Sequence, residues 1–276
     1  MSPSRPDLPS TVHGDCHDAR VSAIVPARNE ALCIAEVVRG LLAQRTAAGG
    51  PLLCEVVVAD NGSSDGTAAA ALAAGARVVS VPQPGYGEAC WHAAQASVGE
   101  VLLFVDGDGA ARPTQAGLLL DELARGADMT IGTRQNVEPG AMSISQRLGN
   151  WLACALMRWI WRMPVQDLGP YRAIRRDAFD ALDMQDRDFG WTVEMQVRAQ
   201  LLGLRVVQVP VDWRSRAAGV SKISGTLRGV VGAGLGILGM IARLWWRERQ
   251  RLPALPRATC SSLAERALAP RPTPPH

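Results

Sequence analysis

Lysine is almost missing from this chain: Lys222 is the single one among 29 basic residues. Arginine therefore carries the positive charge. Its bidentate geometry suits phosphate, yet so uniform a preference also follows from genomic base composition and marks no site by itself. Net charge is small as well. A formal +3 over 276 residues gives no global attraction to nucleic acid, which is not expected as a partner. The six cysteines (Cys16, Cys33, Cys54, Cys90, Cys154, Cys260) form no C-x-x-C pair. That spacing argues against a zinc site or a disulfide framework, and several of the thiols sit in apolar runs as small hydrophobes. An apolar leader is also lacking. Residues 1–20 are polar and proline-rich and are expected to be disordered, which makes the cytoplasm the default location.

What is present is enough apolar residue, 47% against 20% charged, to bury one large α/β domain or two small ones. The stretch VSAIVPARNE (21–30) is an apolar run ending in a polar turn, and apolar residues at Ile34, Val37, Val38, Leu41 and Leu42 follow with helical period. CEVVVADNGSSDGT (54–67) repeats run and turn and leads into an alanine-rich helix. ARVVSVPQ, the helix GEACWHAAQAS and the strand VLLFVDGDG complete the first half. Unbroken apolar strands alternating with helices predict a mainly parallel central sheet covered on both faces. Ligands bind such sheets beyond the carboxyl ends of the strands, where the turns after Val25, Ala59 and Val105 would open together. The strand ADMTIGTR brings Thr133 and Arg134 toward the same side, and LLGLRVVQVPVDWR holds a further strand.

Asp106 and Asp108 end the strand 101–105. In extended backbone they share one side, and two adjacent carboxylates repel unless a cation lies between them or one is protonated. Hard oxygen donors suit Mg²⁺ or Mn²⁺, although Asp and Gly also simply form turns. Asp60 ends its own strand and is placed to accept from a base or ribose. Asp65 reads equally as a helix cap and as a ligand.

The ordered set VPARNE, VVVADNGSSDGT, GYGEA and LLFVDGDG resembles the nucleotide-sugar domain of family 2 glycosyltransferases. IGTR, DLGPYRAIRRDAF, FGWTVEMQVRA and WRSRAAGVSKISGT extend the likeness from Val21 to Lys222 and are similar to the branch of dolichyl-phosphate mannose and glucose synthases. The resemblance implies an A-type α/β fold and an inverting, metal-dependent transfer of a hexose from a UDP- or GDP-sugar to polyprenyl phosphate. Pro26, Ala27, Arg28, Glu30, Asp60 and Asp65 would line the nucleotide site, with Gly87 and Gly107 giving close backbone approach. Asp106 and Asp108 would hold Mg²⁺ or Mn²⁺, Asp108 being counted with the catalytic groups. Arg134, Arg216, Ser221 and Lys222 would surround the phosphates. Glu194 or Asp167 would act as base if the acceptor were a hydroxyl on a small molecule, the alternative substrate class; for each, an arginine salt bridge is the bland reading. Two positions depart from the pattern. Ala110 stands where a glutamine metal contact is usual, and Tyr86 where many relatives have lysine. A non-catalytic nucleotide-sugar-binding protein is the alternative of another class; a nucleotidyltransferase would open with a glycine-rich loop that VPARNEA lacks.

The segment 229–242 is charge-free but short of the ~20 residues a bilayer span needs. With Trp245, Trp246 and the arginines beyond, it has the composition of a membrane interface. The helix candidate 143–163, with Trp151, Trp159 and Trp161 among arginines, is similar in kind. Peripheral attachment to the inner leaflet is expected; a core or homo-oligomer helix is the alternative. The expected divisions are 1–20 disordered, 21–226 transferase domain, 227–251 interface or packing helix and 252–276 disordered tail.

Overall fold

The computed structural model describes residues 20–215 and 227–251; Arg216, Ser221 and Lys222 lie outside the described residues. Seven strands form one sheet: β1 (Val21–Ala27), β2 (Glu55–Asp60), β3 (Arg77–Ser80), β4 (Val101–Phe104), β5 (Met129–Val137), β6 (Arg172–Arg175) and β7 (Val206–Trp213), in the order β3-β2-β1-β4-β6-β5-β7. β1 to β4 run parallel, with Ile24 paired to both Val57 and Phe104, and β7 runs parallel to β5. Only β6 is reversed, pairing antiparallel with β4 and β5. The sheet is therefore mainly parallel, as the apolar runs predict. The reversed strand is an addition that the sequence pattern does not predict: it has four residues and an arginine at each end. Arg172 is nevertheless buried, because its guanidinium donates to the carbonyls of Leu168 (2.8 Å), Gly169 and Thr192 (3.3 Å).

Alternation along the strands sends side chains to two faces. Ala23, Val25, Val58 and Leu103 pack under α1 (Ile34–Leu42), α2 (Thr67–Ala73) and α4 (Ala116–Ala124). Ile24, Val57, Leu102 and Phe104 pack under α3 (Tyr86–Ala96), α6 (Arg176–Leu182) and α7 (Trp191–Leu201). The rings of Phe104, Phe179 and Trp191 meet there at 5.8–6.3 Å.

A third apolar cluster joins α5 (Ile144–Trp161) and α8 (Leu227–Arg251) to the outer side of α7. Ala153, Cys154 and Met157 face Val193, Val197, Met240, Ile241 and Leu244. α5 starts with a capping box between Ser143 and Gln146, which satisfies backbone donors of its first turn. No helix among the described residues is long and apolar enough to cross a membrane.

Candidate active site

The turns that leave β1, β2 and β4 do open on one edge, around a cleft of about 470 Å³. The end of β1 contributes Pro26 and Ala27 and the turn after it Arg28 and Glu30; after β2 comes Asn61; after β4, Asp106, Gly107 and Asp108. The start of α3 adds Pro84 to Tyr86, and Asp188 and Phe189 close the opposite wall. Seven of the residues expected at the nucleotide site thus share one cleft.

The two aspartates are held differently. Asp106 is half-buried and its Oδ1 accepts from the Tyr86 hydroxyl at 3.0 Å. Tyr86, standing where lysine is usual, therefore offers the cleft a neutral donor. Asp108 is buried, and its Oδ1 accepts from the Ala110 N–H at 3.0 Å. Ala110 itself belongs to the apolar cluster that contains Ala111 and Trp213. The position expected to supply a third metal contact thus packs into the interior, where a glutamine would bury an amide. Among the described residues no three His, Cys, Asp or Glu converge on one point. Two carboxylates on the cleft wall fit a hard divalent cation that takes its other ligands from phosphate oxygens and water.

Several expected residues fall elsewhere. Asp60 ends β2 beside Asn61, and its Oδ1 accepts from Ser63 N–H at 3.3 Å; it is not among the groups that line the cleft. Asp65 is exposed and accepts from the N–H groups of Ala31 and Thr67, both at 3.1 Å, so it braces one turn against another. Gly87 lies against the loop that precedes α7. A Cβ there would meet the Asp186 carbonyl oxygen at 2.7 Å; its missing side chain admits the 186–187 backbone. Glu194 takes the arginine pairing that is its alternative reading. It is 1% exposed, its Oε2 accepts from Gln185 N–H (3.0 Å) and Asp186 N–H (2.6 Å), and its Oε1 accepts from Arg198 Nε (2.8 Å). Nothing leaves that carboxylate facing a substrate.

Arg134 and Asp167 hold each other. The guanidinium donates twice to the Asp167 carboxylate, and Arg134 N–H adds a third bond at 2.8 Å. Arg134 Nη2 also reaches Asn150 Oδ1 at 3.1 Å, and the group lies 5.5 Å from the Trp213 ring centre. This pair lines a second cavity of about 390 Å³ with Thr133, Arg147 and Asn150.

Asn61, Asp188 and Phe189 line the cleft without having been singled out for it in the sequence, where Tyr86 stands out only as a departure from lysine. Asn61 Nδ2 donates to the carbonyls of Val81 (3.1 Å) and Gln83 (2.6 Å) and its Oδ1 accepts from Gly85 N–H (3.0 Å), fixing the entry to α3. Burial, with the nearby Asp186 carboxylate, raises Asp188 above the usual carboxylate value, against a hydrogen bond from Tyr86 N–H.

Residues 22–182 match the model of the family described as Glycosyl transferase family 2. An uncharacterized glycosyltransferase of Mycobacterium tuberculosis is 34% identical over 211 residues, 76% of this chain and 93% of its own. The undecaprenyl-phosphate mannosyltransferase of Micrococcus luteus is 33% identical over 161 residues, covering 55% of this chain and 65% of the relative. Among solved structures, glucosyl-3-phosphoglycerate synthase from Mycobacterium tuberculosis, in complex with Mn²⁺, UDP and glucosyl-3-phosphoglycerate, superposes with a TM-score of 0.65. It shares 24% identity, and the match covers 86% of this chain and 87% of that one.

Proposed function

This chain belongs to glycosyltransferase family 2, and from that membership we propose that it moves a hexose from a UDP- or GDP-sugar to polyprenyl phosphate. The nucleotide diphosphate occupies the cleft beneath Arg28 and Glu30, with its phosphates toward Asp106 and Asp108. Mg²⁺ or Mn²⁺ bound by these two carboxylates would carry charge that builds on the leaving diphosphate. Attack comes from the face opposite the leaving group, so the anomeric centre inverts.

The acceptor class rests on one observation. α5 exposes an apolar stripe of Ile144, Leu148, Trp151, Leu152 and Trp159, with Trp151 60% and Trp159 80% exposed, and this helix also supplies Arg147 and Asn150 to the second cavity. Tryptophan and arginine on one helix face suit the headgroup region of a membrane. α8 adds exposed Leu235, Leu238 and Trp246 beside it. A lipid would lie along this face with its phosphate at Arg134 and Arg147. An ionised phosphate needs no base to attack, which agrees with Glu194 and Asp167 both being committed to arginines. In this reading residues 21–226 are the transferase domain and 227–251 an interface helix on the cytoplasmic face of the membrane.

Transfer to a small hydroxyl acceptor such as a glycerate is the alternative, favoured by Asp188, a carboxylate on the cleft wall with a raised pKa. Labelled UDP- and GDP-sugars incubated with protein, Mg²⁺ and either polyprenyl phosphate or 3-phosphoglycerate separate the two. Label extracted into organic solvent is expected. Label that stays aqueous with every donor overturns the lipid acceptor.

A further inference from the structure

Glu194 is a buried carboxylate that the transfer reaction leaves unused, and its hydrogen bonds lead back to the cleft. It gathers the N–H groups of Gln185 and Asp186, while Arg198, which it orients, donates to the Leu182 carbonyl at 2.8 Å. The segment so fixed lies across the first turn of α3. Glu88 N–H donates to the Arg187 carbonyl at 2.8 Å, and the Asp188 carboxylate accepts from Tyr86 N–H. Arg187 stacks on Trp91 at 4.3 Å and pairs with Glu88 at 3.4 Å. Only glycine at 87 permits this approach. The same turn carries the Tyr86 hydroxyl, which donates to Asp106.

We infer that Glu194 is a positioning residue for Asp106, acting through residues 185–188 and Tyr86. This rests on reading Asp106 as the carboxylate that faces the metal and the diphosphate. A buried charge accepting two backbone N–H groups sets loop geometry strongly, whereas the amide of Glu194→Gln would place a donor against Arg198. With the segment loosened, Tyr86 would no longer hold Asp106 in one rotamer, and metal affinity would fall without loss of the reacting groups.

Mn²⁺ binding by the full chain, followed by electron paramagnetic resonance, tests the link. Glu194→Gln is expected to weaken it about tenfold. Tyr86→Phe should give the same loss, with no further loss in the double variant. Gly87→Ala, which forces residues 186–187 off α3 while keeping Glu194, should reproduce the loss and serves if Glu194→Gln does not fold. A lower Tm with Mn²⁺ binding at the wild-type value overturns the inference. So does a thousandfold loss of kcat with Mn²⁺ binding unchanged, which would make Glu194 a base. If the wild-type chain binds no Mn²⁺, the metal reading of Asp106 falls and the inference falls with it; wild-type binding left unchanged in the variants overturns the inference alone.

Discussion

Where β2 and β4 begin, Glu55 accepts from Ser22 Oγ at 2.6 Å, Val98 N–H at 2.7 Å and Arg77 Nη2 at 2.8 Å. Beside it, Arg176 donates to the carbonyls of Ala94, Ser97 and Gly99. Where the same strands finish, Asp106 and Asp108 border a cleft large enough for a nucleotide. Carboxylates stand at both ends of one sheet, but at one end they close networks and at the other they face a cavity. The difference follows from chain direction. Parallel strands send all their outgoing turns to one edge, so the incoming edge is left to hold the fold together.

The sharpest way to break this comparison is to remove charge at the cleft without removing a hydrogen-bond acceptor. Asp108→Asn keeps an oxygen for the Ala110 N–H. It is expected to lower kcat/KM about a thousandfold, because a metal-side charge acts on the developing diphosphate. Tm should move little. Steady-state transfer assays and a thermal melt on one preparation check both.

The converse substitution at the other end is Glu55→Gln. Burial opposes ionisation of Glu55, but Ser22, the Val98 N–H and Arg77 outweigh it and hold its pKa below the usual value. A depressed folded pKa gives stability that is present above the unfolded pKa and lost as pH falls through the folded one. Glu55→Gln should therefore cost about 1–3 kcal/mol at pH 7, read from urea midpoints, with the deficit shrinking below about pH 4. Transfer activity should survive.

The two ends were unequally legible in the sequence. β1 to β4 and their turns were readable because buried parallel strands are unbroken apolar runs, and Asp106 and Asp108 were readable because they sit at the end of one. β6 was not, since Arg172 reads as a surface residue until Leu168, Gly169 and Thr192 supply carbonyls to it. Glu194 stood open between a base and an arginine's partner because a carboxylate on a short motif carries no sign of what it touches, and its partners lie on the preceding loop and the next helical turn. Asp188 was missed for the same reason: nothing local in DRDFG shows that the segment lies over α3. Asp65 and Gly87 had the right residue types for a nucleotide site, but the Asp65 carboxylate, though exposed, is engaged by the N–H groups of Ala31 and Thr67, and the 186–187 backbone lies against Gly87.

The smallest expected effect also reverses the sign found at Glu55. Asp188 has its pKa raised by burial, with Asp186 adding to it. A carboxyl raised in the folded state contributes most below its unfolded pKa, and that contribution is lost as pH rises through the folded value. At pH 7 the ionised Asp188 is therefore expected to cost the fold a little, because the residue is largely exposed to solvent. Asp188→Asn keeps an acceptor for Tyr86 N–H and should stabilise the protein at pH 7 by about a few tenths of a kcal/mol, since the residue is partly solvated and its charge screened. Near pH 3 the difference should vanish. Urea midpoints at the two pH values check it, and a loss of stability at pH 7 would place Asp188 with Glu55 as a group that supports the fold. A gain would mark it as a charge kept at the cleft against the interest of stability, as groups selected for chemistry are.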